Sequence, residues 1–365
     1  MKIIKSDATY RLYNGDSVQV LDHLPVGFYR VAFNPMNGWS LEQASPLIVG
    51  EKMYGNALTK IGKVLHKFEN SERNLGVLLS GDKGIGKSMF ARQLCVEGVE
   101  IGYPVIIIDQ AFEQLTSFLS QITQPVFVLF DEFDKVYAGS SFSEDDDGES
   151  SNNSMQNSLL SLFDGVYNTK MLFIVTCNDV LSLSDFLLHR PGRFHYHLRF
   201  AYPDESEIIE YLSDKLDEKY HDKIPAVVDY GRRINLTYDC LRAIASELND
   251  GLEFDEAVED LNIEADETEF RCELVYDDGV IFDSSGTFSL DFTDKRHAES
   301  IYYDGWFIGQ VSFMPSSLKY NAEDHCYYTD ECQFKATENM RSKSEQQILT
   351  THKDHPARLR VWKWH

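Results

Sequence analysis

A glycine-rich octapeptide, GDKGIGKS at residues 81–88, constrains the fold of this chain more than any other feature of its sequence. It fits the phosphate-loop pattern G-x-x-x-x-G-K-[ST], follows the apolar run LGVLL (75–79) and precedes the helical segment SMFARQLCVEGV. The glycines permit a backbone turn whose N–H groups converge on phosphates, and the positive end of the following helix favours the same anions. The octapeptide therefore predicts a nucleotide site between a strand and a helix of an α/β sheet.

The predicted nucleotide site includes an acidic pair further along the chain. Lys87 is expected to reach the β- and γ-phosphates of the nucleotide, and Ser88 to hold Mg²⁺. Asp131 and Glu132 follow the apolar run PVFVLF (125–130), and an open α/β sheet binds its ligands at the ends of such strands. We expect Asp131 to orient the Mg²⁺ and Glu132 to polarise the attacking water. The candidate binding residues are Gly81, Asp82, Lys83, Gly84, Ile85, Gly86, Lys87, Ser88, Met89 and Asp131, with Ser88 and Asp131 as metal ligands.

Compact apolar runs alternate with helical segments between residues 46 and 202, which predicts a parallel sheet covered on both faces. Asn178 ends the run MLFIVTC (171–177) and is a candidate to hold the attacking water, although an Asn after a strand is also a common turn residue. Arg190 and Arg193 are an unusual pair for a buried segment. Arginines stabilise the charge of phosphoryl transfer, often from a neighbouring subunit.

The order GDKGIGKS, FVLFDEFD, NSLLSLFDG, IVTCND and HRPGRF resembles the AAA+ ATPases, specifically the branch with an RPGRF segment. The resemblance covers roughly residues 46–200, and the helical stretch that follows is similar to that family's lid. It implies Mg-ATP as the bound nucleotide, Asn178 as the γ-phosphate sensor, and Arg190 and Arg193 as arginine fingers that reach into the next protomer. A ring, expected to be a hexamer, follows from those fingers. Arg242 is either a second sensor or an ordinary solvated residue of a lid helix.

The chain departs from that family where its ring translocases carry an aromatic pore loop. The stretch between Asp109 and Pro125 has room for about one helix and contains no aromatic-apolar-Gly tripeptide, and Phe112 is expected in the core. By resemblance the segment is closer to the Rieske-protein translocases, which move folded cargo. The acidic loop 140–154 either lines a central channel or is a surface insertion.

The predicted fold class is α/β: a parallel-sheet P-loop NTPase core with a small helical lid, flanked by an N-terminal β unit and a C-terminal β-rich domain. The predicted boundaries are 1–45 for the β-rich unit, with a hairpin turn at Asn37-Gly38, 46–202 for the core, 203–262 for the lid and 263–365 for the β-rich domain.

The net charge of −25, concentrated in residues 203–300, argues against nucleic acid as a partner. His325, Cys326 and Cys332 lie close in sequence, but without a CxxC motif they are a weak zinc candidate. The first residues lack the apolar core of a signal peptide, and no run approaches the ~20 residues of a membrane helix. A cytoplasmic protein is expected, and the unfamiliar β domains suggest a phage protein that acts in the host cytoplasm.

Two functions remain open at this stage, together with a weaker third. The first is an ATP-hydrolysing ring that remodels or chaperones an unknown protein partner, with the aromatic segments YYDGW and VWKWH as candidate contacts. The second is a nucleotide-gated assembly protein in which hydrolysis is incidental. A DNA-remodelling ATPase is disfavoured by the charge.

Overall fold

The computed structural model of the 365-residue chain forms two compact units, Met1–Phe200 and Ala201–His365. It describes residues 2–6, 9–13, 18–34, 38–110, 112, 114–137, 159–164, 170–180, 183, 193–261, 263, 268–290, 296–321, 324–337, 351–352 and 357–364. Among the described residues, no helix is both long and apolar enough to cross a bilayer.

The first unit contains nine strands and four helices among its described residues, besides a short helical stretch at 159–163. The strands are β1 (Lys2–Ser6), β2 (Thr9–Tyr13), β3 (Phe28–Asn34), β4 (Gly38–Gln43), β5 (Leu75–Ser80), β6 (Val105–Ile108), β7 (Val126–Phe130), β8 (Met171–Cys177) and β9 (Tyr196–Arg199). The helices are α1 (Ala57–Glu69), α2 (Lys87–Glu100), α3 (Leu115–Leu119) and α4 (Phe133–Tyr137).

Seven of these strands form one sheet in the order β4-β3-β6-β7-β8-β5-β9, parallel throughout except for the edge strand β4. Strands β5, β6, β7 and β8 are buried along their whole length, as expected for continuous apolar runs covered on both faces. One apolar cluster packs α1 and α2 against the sheet, and a second contains α3, α4 and the stretch 159–163. The predicted parallel-sheet core is thus confirmed.

The predicted boundary near residue 45 is wrong as a division between domains. Strands β1 and β2 do form a separate two-stranded sheet, but β3 pairs in parallel with β6 and so belongs to the main sheet. The hairpin of β3 and β4 is present, with Asn34 opposite Gly38; Asn37 lies outside the described residues. The sequence predicted β structure in this region, but the pairing of β3 with β6 joins segments about 75 residues apart, which no local pattern reveals.

The second unit begins with a helical part. Its helices are α5 (Glu205–Lys215), α6 (Ile224–Arg233), α7 (Tyr238–Asn249) and α8 (Phe254–Glu259). Asp204 and Glu207 form a capping box at the start of α5, and the Thr237 hydroxyl accepts the Cys240 N–H at the start of α7. These local signals explain why the predicted helical segment begins where it does.

The second unit continues as an antiparallel sheet in the order β15-β16-β18-β10-β11-β13-β14-β17, with β12 also paired to β10. Its strands are β10 (Glu269–Tyr276), β11 (Ile281–Asp283), β12 (Phe288–Ser289), β13 (His297–Tyr303), β14 (Trp306–Phe313), β15 (Lys319–Asn321), β16 (Cys326–Thr329), β17 (Cys332–Ala336) and β18 (Ala357–Lys363). Alternate residues of β10 are buried, as in a strand with one face toward a core. The predicted C-terminal β-rich domain is confirmed in its class.

Polar contacts join the helical part of this unit to its sheet. The Lys363 ammonium, on β18, donates to the carbonyl oxygens of Gly231 (3.1 Å) and Ile234 (2.9 Å), where α6 ends. Arg232 forms two 2.9 Å hydrogen bonds with the Glu205 carboxylate. The Tyr320 hydroxyl donates to the same carboxylate at 2.8 Å. The predicted boundary near residue 262 therefore separates two parts of one compact unit rather than two independent domains.

Candidate nucleotide site

Three sets of predicted site residues meet at one edge of the parallel sheet. Strand β8 lies between β7 and β5, and the three strands run in the same direction. The phosphate loop follows β5, the acidic pair Asp131 and Glu132 follows β7, and Asn178 follows β8. Because the carboxyl ends of parallel strands share an edge, segments about 90 residues apart in sequence are brought together there.

The loop 81–86 has the backbone that its glycines predict. Gly84 and Gly86 have φ values of 81° and 97°, in the left-handed region that disfavours side chains, and Gly86 caps the start of α2. At Gly81 a Cβ atom would lie 2.5 Å from the Phe200 carbonyl oxygen, so a side chain there has no room. The sequence pattern therefore records both a conformational and a packing requirement.

Lys87, the first residue of α2, is 5% exposed and turns back over the loop. Its ammonium donates to the carbonyl oxygens of Gly81, at 2.7 Å, and of Asp82. Burial lowers the pKa of Lys87, while the carboxylates of Asp134, Asp82 and Asp131 act in the opposite direction. The ammonium is thus held over the loop, where its positive charge can interact with a bound phosphate.

A chain of hydrogen bonds links the phosphate loop to the acidic pair and to β8. The Ser88 hydroxyl donates to Asp131 Oδ1 at 2.9 Å, and the Thr176 hydroxyl donates to the same oxygen at 2.7 Å. Thr176 Oγ1 also accepts the backbone N–H of Glu132 at 2.7 Å, and its side chain is 1% exposed. A single buried hydroxyl therefore fixes both members of the acidic pair.

Glu132 stands in an unusual backbone conformation. Its φ of 54° is in the left-handed region, which a non-glycine residue adopts at a cost of about 1 kcal/mol or more. Its carboxylate pairs with the ammonium of Lys135, three residues later on α4, and both side chains are about half exposed. The Glu132 carboxylate, which is predicted to act on water, is thus accessible to solvent at the edge of the sheet and forms an ion pair with the Lys135 ammonium.

Asn178 is held through its backbone. Its N–H donates to Asp134 Oδ2 at 3.1 Å, and the next N–H, of Asp179, donates to the same oxygen at 3.3 Å. The Asn178 side chain makes no hydrogen bond with a residue that the structure describes. Asp134 was not among the predicted site residues, nor was Thr176. The fourth letter of DEFD and the single hydroxyl in an apolar strand were the available signals.

The two predicted arginine fingers have different outcomes. Arg193 is 4% exposed, and its guanidinium forms a two-point ion pair with Asp164 of the same chain, at 2.7 and 2.8 Å. A Cβ atom on Gly76 would lie only 2.1 Å from the Arg193 carbonyl oxygen, so the chain at Arg193 packs tightly against β5. Arg193 thus has a carboxylate partner within its own subunit, and its predicted role in a neighbouring site stays a prediction. Arg190 lies outside the described residues.

The remaining predictions concern residues away from this edge. Arg242, in the second unit, is more than half exposed and pairs with Asp239, as an ordinary solvated helix residue does. Phe112 is 9% exposed and stacks on Trp39 at 3.5 Å between ring centroids, so it belongs to the core as expected. The described residues between β6 and β7 contain only α3. The acidic loop 140–154 lies outside the described residues. Among the described residues, no three His, Cys, Asp or Glu side chains are grouped so that they could hold a metal ion.

The residues at this edge fit Mg-ATP. A hydroxyl and a carboxylate already in contact, Ser88 and Asp131, are the oxygen donors that Mg²⁺ prefers. The loop backbone and Lys87 offer donors to phosphate oxygens. Asp134 Oδ1 is buried and accepts no hydrogen bond from the described residues, so the polar network of the site is incomplete as it stands.

Comparison with known proteins agrees with this site. Residues 77–202 match the family model described as "ATPase family associated with various cellular activities (AAA)". Over 169 residues the chain is 30% identical to an "AAA ATPase forming ring-shaped complexes" of Corynebacterium kroppenstedtii, which covers 39% of this chain and 28% of the relative. An ATPase family AAA domain-containing protein of Arabidopsis thaliana is 29% identical over 142 residues, 35% of this chain and 11% of the relative. A vesicle-fusing ATPase of Dictyostelium discoideum is 28% identical over 148 residues, 36% and 20% of the two chains.

The chain spans between 11% and 28% of the length of the first two of these relatives, so the likeness concerns a domain rather than whole proteins. The matched segment coincides with the strands and loops that build the site, from β5 to the end of β9. Over residues 77–202, the segment that contains the site, this chain is therefore similar to the AAA ATPases.

Proposed function

We propose that the chain binds and hydrolyses Mg-ATP and uses the reaction to remodel or chaperone a protein partner as part of an oligomeric ring. The observation that carries the proposal is the hydrogen-bonded series Ser88, Asp131, Thr176 and Glu132, which connects the phosphate loop to the acidic pair across β8. This arrangement supports a site in which one end binds phosphate and the other acts on water.

Each residue has a distinct part in the proposed hydrolysis. The loop N–H groups and Lys87 would bind the β- and γ-phosphates, with Ser88 and Asp131 as the Mg²⁺ ligands; the bound metal neutralises phosphate charge. Glu132 would accept a proton from the water whose oxygen bonds to the γ-phosphorus as the bond to the β,γ-bridging oxygen breaks. ADP and inorganic phosphate are the products. Asn178 would orient that water, with its side chain uncommitted among the described residues.

A ring is supported by the relative whose name describes ring-shaped complexes. Arg190 is the candidate to reach a neighbouring site, because the guanidinium of Arg193 is committed to Asp164. A hexamer remains a prediction, as does a cytoplasmic location. Arg193 is proposed to hold the beginning of the described segment 193–200 against β5.

A protein partner is favoured over nucleic acid by the net charge of −25. The predicted contact segment YYDGW includes the turn between β13 and β14, where Trp306 is 49% exposed and Phe307 is 45% exposed. Large aromatic side chains on a surface are typical of protein interfaces. We propose this turn as a contact for the partner.

The alternative function is nucleotide-gated assembly with incidental hydrolysis. The Lys135–Glu132 ion pair favours it in one respect, because it occupies the carboxylate that hydrolysis requires. A slow ATPase whose bound nucleotide chiefly stabilises a ring would have this property.

The two functions separate on Glu132→Gln, which keeps the shape of the side chain and removes the proton acceptor. Glu100→Gln, at the exposed end of α2, is the matched control. Partners that remain bound to the Glu132→Gln ring in ATP, and are released from wild type by turnover, support remodelling. Equal partner release by the variant and wild type would favour assembly, and absence of ATP binding by wild type would refute both.

A further inference from the structure

Asp134 accepts hydrogen bonds at the end of β8, and the proposed hydrolysis assigns it no role. It lies in the first turn of α4, three residues after Asp131, and its Oδ2 accepts two consecutive backbone N–H groups, those of Asn178 and Asp179. Two successive amides on one carboxylate oxygen restrain the direction in which the chain leaves β8. That direction determines where the Asn178 side chain points.

The second oxygen of Asp134 is also informative. Oδ1 is buried and accepts no hydrogen bond from the described residues. A buried carboxylate oxygen without a partner costs free energy, and such atoms in a folded protein call for a reason. The Asp134 carboxylate is also the foremost of the charges that offset the effect of burial on Lys87. The Asp134 carboxylate thus has one oxygen committed to two backbone N–H groups and one without a hydrogen-bond partner among the described residues.

We propose that Asp134 is a positioning residue that sets the Asn178 side chain for the γ-phosphate and its attacking water, by accepting the N–H groups of Asn178 and Asp179. The proposal rests on ATP hydrolysis as the function of this site. It assigns Asp134 no contact with the nucleotide; its effect passes through Asn178. A consequence is that Asp134 affects recognition of ATP, which has a γ-phosphate, more than recognition of ADP, which has none.

The substitution Asp134→Ala removes the acceptor for both amides. We expect kcat for ATP hydrolysis to fall by about tenfold or more, because misplacement of an orienting group is costly. We expect the affinity for ADP to change less than about threefold, so the preference for ATP over ADP declines. Asp134→Asn keeps an oxygen that can accept both amides and is expected to retain kcat within about threefold of wild type. Glu100→Ala is the control for loss of an acidic side chain elsewhere in the same unit.

The sharpest test is a double-mutant cycle between Asp134 and Asn178, read by kcat and by the ratio of ATP to ADP affinity. If Asp134 acts through Asn178, Asp134→Ala combined with Asn178→Ala is no more than about twofold slower than the slower single variant. Losses that multiply in the double variant would overturn the proposal. So would an Asp134→Asn variant as impaired as Asp134→Ala, since charge rather than the two hydrogen bonds would then be responsible.

Unaltered ADP binding shows that each variant is folded. If Asp134→Ala does not fold, Asp134→Glu decides instead: it keeps the charge but displaces the acceptor by one methylene, and its loss of kcat must not multiply with the loss of Asn178→Ala. A wild-type protein that binds but does not hydrolyse ATP would refute the proposed function itself. A wild-type ATPase whose Asp134→Ala form keeps both kcat and its preference for ATP would refute only the positioning role.

Discussion

Two lysines, Lys87 buried in the first unit and Lys363 partly buried in the second, show how desolvation of an ammonium can serve different ends. Burial lowers the pKa of Lys87 in the first unit and lowers the pKa of Lys363 to about 8 in the second. The charges of three carboxylates raise the pKa of Lys87 against the effect of burial, and one of the three, Asp134, has a buried oxygen that lacks a hydrogen bond among the described residues. Lys363 instead donates to two carbonyl oxygens at the end of α6, and desolvation alone shifts its pKa.

The difference in surroundings distinguishes a ligand site, at Lys87, from a structural contact, at Lys363. This contact between β18 and the end of α6 is called the joint below. At the edge of the parallel sheet, charges are buried in a network that remains incomplete, and an anionic ligand with a cation would complete it. At the joint, the lysine provides donors that the last carbonyl groups of a helix lack, so the second unit is held together without a ligand. Substitutions at the two lysines should therefore affect different properties.

The largest effect is expected from Lys87→Ala. Removing the ammonium that is held over the phosphate loop should weaken ATP binding by at least about 100-fold while leaving the thermal midpoint of unfolding nearly unchanged. Binding of a fluorescent ATP analogue and differential scanning calorimetry would measure the two. Lys67→Ala, on the exposed face of α1, is the control. Retained ATP binding by Lys87→Ala would remove the distinction between the two lysines.

A second effect is expected from Asp164→Ala, which leaves the Arg193 guanidinium buried without its carboxylate. Breaking a largely buried ion pair from one side destabilises by several kcal/mol, and we expect about 2 to 3 kcal/mol here because Asp164 is partly exposed. Urea unfolding would measure the loss. Asp330→Ala breaks the exposed pair with Arg358 and should change stability little. If Asp164→Ala leaves stability unchanged and slows only hydrolysis, Arg193 acts in a neighbouring site after all.

The third prediction concerns Lys363→Met and the pH dependence of stability. The folded-state pKa of Lys363 is about 8 and the unfolded value about 10.5, so between these pH values the unfolded chain binds more protons. Raising the pH through that interval should therefore stabilise wild type relative to Lys363→Met, by on the order of 3 kcal/mol in total. Below pH 8, where Lys363 is protonated in both states, the stability of wild type relative to Lys363→Met is lowest.

The measurement for Lys363 is the difference in the free energy of unfolding between wild type and variant, at several pH values from 7 to 10.5. The difference removes the titration of tyrosines and cysteines, which both proteins share. Lys335→Met, on the exposed part of β17, is the matched control for loss of a lysine from the same sheet. A pH-independent difference for Lys363→Met would mean that the amine is not desolvated at the joint.

The smallest effect is expected at Lys135, whose ammonium occupies the Glu132 carboxylate. The pKa of Lys135 is raised chiefly by its hydrogen bond with Glu132. Lys135→Met should free the carboxylate and raise kcat by about twofold, the scale of an exposed ion pair. Steady-state hydrolysis at low and high salt would test this, since salt should raise wild-type kcat toward that of the variant. A decrease in kcat would show that Lys135 assists the reaction instead.

The sequence predicted those parts of the site that depend on local patterns. GDKGIGKS carries its own conformational requirements in Gly84 and Gly86, and an acidic pair after an apolar strand is recognisable without a partner. Because parallel strands end at the same edge of a sheet, the segments that follow them are predicted to meet there. The helical segment 203–262 was likewise predicted, and two of its helices begin at local caps, Asp204 and Thr237.

The parts that were not predicted depend on pairing between distant segments. Thr176 and Asp134 matter because β7 and β8 are neighbours in a particular register, and Asp164 pairs with Arg193 from 29 residues away. Lys363 meets the end of α6 across more than 125 residues of chain. Side-chain type and spacing contain no information about such contacts, so only the folded structure could assign them.

Hydrolysis at the edge of the parallel sheet is tested most directly by one paired measurement: ATP turnover and nucleotide retention by wild type and by Glu132→Gln. We expect wild type to release inorganic phosphate, and Glu132→Gln to bind ATP with similar affinity but to retain it unhydrolysed, with turnover reduced by at least about 100-fold. Turnover by the variant equal to that of wild type would contradict the assignment of this edge as the catalytic site.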